Sequence, residues 1–349
     1  VSSMQLDRPA RGFAFAADIN HDGGADVITN TFGTPIAFDG KTGAKLWQGW
    51  DTSAGSLGQN CKMYLFGTDF ALGVVDGTND VTLIMGTGCD GGTSAGSSTQ
   101  LIAVDTNPAH AVSGAARVKW VSERLDEKLP VPPSEGASPV PTYVQDWGLA
   151  SWATPTLARL TPSGGVKVLT RTLIHKTAYW YDSDGNGQPD TYAACRAATG
   201  KPEDEGRACK VTFIVDATTG AKEAALTAPN PLNESSSVTW QPMRETAPVV
   251  ADLDGDGQVE IISGGDVFKL VNGQWTLAWQ AAYPAAERFY EPTSVSVADL
   301  DGDGKAEVIL QIEFDKDSAR YRGIAIYAHD GTLRRVFIYP GSDAGMPTI

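Results

Sequence analysis

Three copies of an aspartate-rich loop recur in equivalent places along the chain, and this repetition constrains the fold more than any other feature. The loops begin at Asp18, Asp252 and Asp299, and each stands between two short apolar runs. Apolar runs on both sides of a tight polar turn are the pattern of a β-hairpin. The last two loops begin at residues 252 and 299, 47 residues apart. That spacing is typical of one four-stranded blade of a β-propeller.

A second type of hairpin follows the first, with alternating apolar residues around a Gly-containing turn. It recurs five times, at residues 36–47, 101–120, 213–222, 267–279 and 324–337. Because two hairpins complete one blade, the sequence predicts an all-β fold with four-stranded antiparallel blades, forming a single β-propeller domain over residues 1–349. The repeats are predicted at residues 13–66, 67–147, 148–238, 239–287 and 288–340, with loop insertions at about 121–146 and 175–210.

The end of the chain leaves the blade number open. Residues 341–349 are predicted to begin a further blade, because 344–349 resemble the opening strand of a sixth hairpin. Two alternatives follow: a small closed propeller that ends in a spare strand, or a portion of a longer chain with six or more blades.

Charge and cysteine content limit the partners and the compartment. The chain has 42 acidic and 27 basic side chains and a formal charge of -15, so it would repel nucleic acid. No apolar run approaches the roughly 20 residues that cross a bilayer, so we expect no membrane insertion. Of three pairings, disulfides Cys61–Cys89 and Cys195–Cys209 are favoured, with four free thiols as the alternative. Disulfides would indicate an extracellular, cell-surface or periplasmic location.

The acidic loops are candidate calcium sites. In the loop that starts at Asp252, carboxylates stand at the first, third, fifth and ninth positions and a glycine at the sixth. Such spacing places oxygen ligands around one point, as in EF-hand loops, and the absence of His and Cys favours Ca²⁺ over zinc or copper. The alternative for any single copy is a solvated turn without metal.

Three to four Ca²⁺ sites are therefore expected, since a fourth copy lies in the insertion of the third repeat. The predicted ligands, which include the backbone carbonyl of each seventh residue, are Asp18, Asn20, Asp22, Gly24 and Asp26; Asp182, Asp184, Asn186, Gln188 and Asp190; Asp252, Asp254, Asp256, Gln258 and Glu260; and Asp299, Asp301, Asp303, Lys305 and Glu307. The first hairpins of the second and third repeats lack these ligands and should hold no metal.

At these residues the chain resembles the FG-GAP or VCBS repeat family, which occurs in integrin α-chain propellers and in many bacterial surface proteins. The motif is Ala-Asp-Leu-Asp-Gly-Asp-Gly at 251–257, with relatives at Asp18 and Asp299. The resemblance covers residues 13–340, although only three of the five repeats carry the acidic signature. It implies a β-propeller with calcium in the loop that joins the first two strands of a blade.

The sequence favours a binding protein over an enzyme, and no catalytic or organic-cofactor residue is predicted. Residues 92–96 spell a nucleophile elbow but lack its strand-to-helix context, and the four histidines are scattered. Residues 39–47 also resemble the tryptophan-docking repeat of quinoprotein dehydrogenases. However, the adjacent cysteine pair of those enzymes is missing.

The predicted function is a secreted or cell-surface, calcium-stabilised binding, adhesion or structural module of an extracellular assembly, with an extracellular protein or glycan as its ligand. The alternative is an extracellular polysaccharide-active enzyme, similar to lyases with acidic propeller repeats, or its carbohydrate-binding propeller.

Overall fold

The fold consists of short antiparallel strands that follow one another along the chain. The computed structural model describes residues 14–31, 34–51, 70–87, 100–123, 125, 154–174, 209–229, 247–284, 286, 288–289, 292, 294–317 and 319–339. Within these residues the one helical element is a single 3₁₀ turn, Pro108–His110. All other regular structure is β, as the alternating apolar runs predict.

The strands form five antiparallel sheets, here called sheets 1 to 5, each built from consecutive strands. Sheet 1 contains β1 (Phe15–Ala17), β2 (Asp26–Thr31), β3 (Thr34–Phe38) and β4 (Lys45–Gln48). Sheet 2 contains β5 (Ala71–Gly73), β6 (Thr82–Thr87), β7 (Gln100–Asp105) and β8 (Arg117–Val121). Sheet 3 contains β9 (Thr156–Arg159), β10 (Val166–Ile174), β11 (Cys209–Asp216) and β12 (Lys222–Pro229).

Sheets 4 and 5 repeat this order. Sheet 4 contains β13 (Val249–Ala251), β14 (Glu260–Ser263), β15 (Asp266–Val271) and β16 (Gln274–Gln280). Sheet 5 contains β17 (Arg288–Phe289), β18 (Ser294–Ala298), β19 (Glu307–Lys316), β20 (Ala319–Tyr327) and β21 (Leu333–Tyr339). Because β17 and β18 both pair with β19, two short segments share the first-strand position of sheet 5. The all-β class and the four-stranded antiparallel sheets are confirmed.

The five sheets share a register irregularity as well as an order. In each sheet the pairing of the third and fourth strands shifts by one residue, at Ala37/Phe38, Ala103/Val104, Ile214/Val215, Val267/Phe268 and Ile326/Tyr327. A bulge at the equivalent position of every sheet bends and twists the fourth strand in the same way. The sheets are therefore structural copies of one unit.

Apolar side chains on neighbouring positions of one strand point to opposite faces and pack against different sheets. Leu83 of β6 lies in a cluster with Ile28 of sheet 1, whereas Ile84 lies in a cluster with Val168 of sheet 3. Two further clusters join sheets 3 and 4 and sheets 4 and 5. Strands buried on both faces need continuous apolar runs, which explains the sequence pattern. Consecutive sheets thus pack face to face in chain order.

Tryptophans fix three of the four contacts between consecutive sheets. The indole N–H groups of Trp47, Trp120 and Trp279 donate to the carbonyls of Thr106, Ala217 and His329, at 2.8, 2.9 and 2.9 Å. Each tryptophan pairs with the residue just before the bulge of its own sheet, and each acceptor lies in the next sheet.

The tryptophan rings also require space on the receiving sheet. A side chain at Gly220 would come within 2.6 Å of the Trp120 ring, so only glycine fits there. Between sheets 3 and 4 an apolar cluster is joined by a hydroxyl contact instead, with Thr212 Oγ1 donating to Ser263 Oγ at 2.7 Å. Shape and hydrogen bonds together therefore fix how each sheet meets the next.

Several sequence predictions lie outside the described residues. These are the loop insertions at 126–146 and 175–208, the strand expected at 344–349, and three of the four cysteines, Cys61, Cys89 and Cys195. Cys209 is described by its backbone, at the start of β11. Both disulfides, the repeat boundaries and the single-domain organisation stay predictions.

Candidate metal centres

The loop of sheet 4, residues 252–260, is folded around its own carboxylates. Asp252 accepts hydrogen bonds from the backbone N–H groups of Gly255 (2.8 Å) and Gly257 (2.9 Å), and Asp256 accepts one from Gln258 (2.8 Å). Gly257 has a φ of 85°, as expected for the sharp turn at the sixth position. Ligand oxygens of Asp252, Asp254 and Glu260 all lie within 4.8 Å of one another. Three of the five predicted ligands of this loop thus lie close together.

Glu260 supplies the observation that points to a cation. One of its oxygens, Oε2, accepts the N–H of Leu253 at 2.8 Å. The other, Oε1, is buried and accepts no hydrogen bond, although the side chain is only 4% exposed. Burial raises the pKa of Glu260 above its usual range, and the Asp254 and Asp256 carboxylates add to this effect. A buried acceptor without a donor is costly, and a bound cation would remove that cost.

The loop of sheet 5, residues 299–307, repeats this arrangement bond for bond. Asp299 accepts the N–H groups of Gly302 (2.7 Å) and Gly304 (3.0 Å), and Glu307 Oε2 accepts that of Leu300 (2.9 Å). Glu307 Oε1 is buried and makes no hydrogen bond of good geometry, although Arg334 Nη1 lies 3.1 Å from it. Oxygens of Asp299, Asp301 and Asp303 lie within 4.8 Å of one another, whereas the group in sheet 4 includes Glu260. Both loops are therefore candidate calcium sites with the same backbone hydrogen bonds.

The loop of sheet 1, residues 18–26, departs from this pattern because its ninth residue is the shorter Asp26. Asp26 Oδ2 accepts the N–H groups of Ile19 (3.0 Å) and Asn20 (3.3 Å), and Oδ1 accepts that of Gly40 (3.0 Å). Both oxygens are thus used by the backbone. Asp18, Asp22 and Asp26 also do not form a group within 4.8 Å. This loop is a weaker candidate than its sequence suggests.

The two sites in sheets 4 and 5 are connected to each other. The N–H of Ala306, in the second loop, donates to the carbonyl of Leu253, in the first, at 2.9 Å. The Leu253 side chain is 1% exposed and packs in the cluster that joins sheets 4 and 5. Ordering of the first loop is therefore tied to the contact between these sheets.

A second polar cluster was missed by sequence reasoning. Ligand atoms of Asp80, Asp105 and His110 lie within 4.8 Å of one another. Asp105 Oδ2 is 2.9 Å from His110 Nδ1 and accepts Arg117 Nη2 at 2.8 Å, while Asp80 Oδ1 is 2.9 Å from His21 Nε2. No spacing rule signals this cluster, because Asp80 lies between β5 and β6 whereas Asp105 ends β7 and His110 lies in the turn that follows. It already has protein partners and links the loop of sheet 1 to sheet 2.

The remaining predicted residues are not tested by the described structure. The fourth acidic copy at 182–190 and the elbow-like residues 92–96 lie outside it. The carbonyl ligand roles of Gly24, Gln258 and Lys305 stay predictions. Among the described residues, no helix is long and apolar enough to cross a membrane.

Comparison with known proteins gives one family match, and it covers this site. The FG-GAP-like repeat family matches residues 252–310. No curated protein matches the chain. The chain is similar to the crystal structure of the V. cholerae biofilm matrix protein Bap1, with 16% identity and a TM-score of 0.47 over 95% of this chain and 39% of that one. It thus spans about two fifths of that protein's length.

A second solved structure, of a eukaryotic initiation factor, has 13% identity and a TM-score of 0.19 over 96% of this chain and 89% of that one. With both TM-scores below 0.5, neither likeness establishes a fold. The sequence resemblance to FG-GAP repeats is confirmed by the family match. The segment that contains both acidic loops, residues 252–310, is an FG-GAP-like repeat region.

Proposed function

We propose that the chain is a calcium-stabilised β-propeller that serves as a binding, adhesion or structural module of an extracellular assembly. The observation that carries this proposal is the pair of buried acceptor oxygens, Glu260 Oε1 and Glu307 Oε1, at equivalent places in two acidic loops. Each oxygen is buried beside three further carboxylates and makes no hydrogen bond of good geometry, although a basic nitrogen lies 3.7 Å from Glu260 Oε1 and 3.1 Å from Glu307 Oε1. A hard divalent cation suits such a group of oxygens. FG-GAP-like repeats at the same residues support this assignment.

Calcium would be held by the carboxylates of each loop and the carbonyl of its seventh residue. In sheet 4 these are Asp252, Asp254, Asp256, Glu260 and Gln258, and sheet 5 offers the equivalent set. The ion supplies positive charge that offsets the repulsion among four carboxylates crowded into nine residues. Because the Leu253 carbonyl accepts from Ala306, an ordered first loop also holds sheet 5 in place.

The propeller arrangement is supported by the way consecutive sheets meet. Face-to-face packing, a common bulge and the repeated tryptophan contact together give every sheet the same relation to the next. A constant rotation between identical units curves the row into a ring. The closed ring is part of the proposal.

A rigid, acidic disc suits binding better than catalysis. The chain carries a formal charge of -15, and its candidate metal centres sit in turns between strands, where an ion stabilises structure. No catalytic constellation is found among the described residues. We therefore assign the chain an extracellular protein or glycan ligand and a secreted or cell-surface location.

The proposal is tested by a ligand screen run with and without metal. The protein is applied to glycan and extracellular-matrix protein arrays in millimolar CaCl₂ and in EDTA, and acidic polysaccharides are incubated with it in parallel. We expect retention that calcium supports and EDTA removes, without cleavage. New unsaturated chain ends in the polysaccharide samples would contradict the binding module and support the lyase-like alternative.

A further inference from the structure

A basic side chain lies against each candidate calcium loop. In sheet 4, Lys269 Nζ is 2.9 Å from Asp256 Oδ2 and 3.7 Å from Glu260 Oε1, and it donates to Asp254. In sheet 5, Arg334 Nη1 is 3.1 Å from Glu307 Oε1 and donates to Asp301. Lys269 lies on β15. Arg334 lies on β21, where the bulge leaves it without a paired residue on β20. Both cations thus reach the carboxylates from a later strand of the same sheet, β15 in sheet 4 and β21 in sheet 5.

Sheets 2 and 3, which lack acidic loops, also carry a lysine near the start of their second strand, although it comes from a different strand in each: Lys119 from β8 and Lys167 from β10. In sheet 2, Lys119 donates to Asp76 and, at 3.1 Å, to Thr82. In sheet 3, Lys167 Nζ is 2.9 Å from Asp216 Oδ2.

The register relates these lysines to the ninth position of the acidic loops, because Lys167 occupies that position in sheet 3 and Lys119 contacts its occupant, Thr82, in sheet 2. Glu260 and Glu307 pair with the small residues Ala251 and Ala298, and Thr82 and Lys167 pair in the same way with Gly73 and Ala158. A protein cation is therefore present at this position whether or not the loop has metal ligands.

We propose that Lys269 and Arg334 are tethered counter-ions, which neutralise the acidic loops until calcium displaces them. Lys119 and Lys167 are the equivalent cations of sheets 2 and 3, which calcium does not displace. The inference rests on the proposed function, since it assigns how the calcium sites are regulated. It makes Lys269 and Arg334 the residues that set calcium affinity.

The electrostatics give the sign of the effect. A lysine that bridges two carboxylates lowers their mutual repulsion in the metal-free state, which stabilises the loop without calcium. An incoming ion must break these contacts and then experiences the repulsion of a nearby positive charge. At short range this repulsion is large even in water, so removal of the charge should tighten calcium binding by about tenfold.

The pKa directions agree with this geometry. Hydrogen bonds to Asp254 and Asp256 raise the pKa of Lys269 above its usual range. The Arg334 guanidinium lowers the pKa of Asp301. Both basic groups therefore keep their charge in the presence of the acidic loop.

The test compares Lys269→Met with Lys45→Met. Both substitutions remove one positive charge, but Lys45 lies on β4, where it donates to Gln48 and contacts no acidic loop. Calcium binding is measured by isothermal titration calorimetry, and the site in sheet 4 is identified by its loss in Asp254→Asn. Melting temperatures are recorded in calcium and in EDTA, with Lys119→Met as a third variant.

We expect Lys269→Met to lower the dissociation constant of the sheet 4 site by about tenfold and to lower the melting temperature in EDTA. Lys45→Met should change neither, and Lys119→Met should lower the melting temperature equally in calcium and in EDTA. If the wild type binds calcium but Lys269→Met leaves the affinity within twofold or weakens it, the tethered counter-ion is overturned and the proposed function stands. If no variant binds calcium, the proposed function fails together with the displacement.

Discussion

Leu253 and Leu300 offer the sharpest test of how the sheets pack. Both are the third residue of the same segment, Ala-Asp-Leu-Asp-Gly-Asp-Gly, so local conformational preferences cancel between them. Leu253 is 1% exposed and packs with Ile262 of its own sheet and Val308 of sheet 5, whereas Leu300 is 52% exposed. The two positions therefore differ in burial and hardly at all in local sequence.

Truncation to alanine should lower the unfolding free energy by several kcal/mol more at Leu253 than at Leu300. Leu253→Ala removes buried apolar surface and leaves a cavity between sheets 4 and 5, which costs about 2–5 kcal/mol of unfolding free energy. Leu300→Ala removes a side chain that is already half in water and should change the unfolding free energy by less than about 0.5 kcal/mol.

The assay is urea unfolding followed by tryptophan fluorescence, in calcium so that both loops are ordered alike. The predicted result is a lower midpoint for Leu253→Ala only. Equal losses in the two variants, or a larger loss for Leu300→Ala, would refute face-to-face packing of consecutive sheets and with it the basis of the propeller.

Three further predictions follow from single contacts. Trp120→Phe leaves the buried carbonyl of Ala217 without its donor and should cost about 1–3 kcal/mol in chemical unfolding, and an unchanged midpoint would contradict the docking contact. Asp26→Asn should lower the melting temperature equally in calcium and in EDTA, because backbone donors already use both Asp26 oxygens. Glu260→Gln should instead reduce the rise in melting temperature that calcium causes. A calcium-specific effect of Asp26→Asn, or none of Glu260→Gln, would contradict the two loop geometries. Burial opposes ionisation of Asp76, but hydrogen bonds from Lys119 and Thr78 outweigh it and lower the pKa of Asp76 to about 2. The ionised carboxylate therefore adds about 2 kcal/mol to the unfolding free energy above pH ~4, and this is lost as the pH falls towards 2. In Asp76→Asn the unfolding free energy should depend less on pH in that range.

The sequence predicts the hairpins because each is a local feature. Short apolar runs around tight turns, as at 247–263 and 293–310, specify strand, turn and strand without reference to the rest of the chain. The acidic loops are also local, since alternate residues of one tight turn converge on one point. This explains why three of the predicted ligands lie close together in each of the loops of sheets 4 and 5.

Contacts between sheets could not be predicted in the same way. His21 in the loop of sheet 1 reaches Asp80 in sheet 2, and this contact with the Asp80–Asp105–His110 cluster depends on how the two sheets meet. The difference between Asp26 and Glu260 is one methylene group. Whether that length leaves an oxygen free depends on backbone donors such as Gly40, 14 residues away. The tryptophan positions show a pattern in sequence, but their acceptors do not.

Calcium counting by equilibrium dialysis tests the central claim most directly. The wild type is compared with the double variant Glu260→Gln/Glu307→Gln, which keeps the shape of both side chains but removes the two buried negative charges. The account predicts that the double variant binds two fewer calcium ions per chain than the wild type at millimolar calcium. An equal number in the two proteins, or no bound calcium in the wild type, would contradict it.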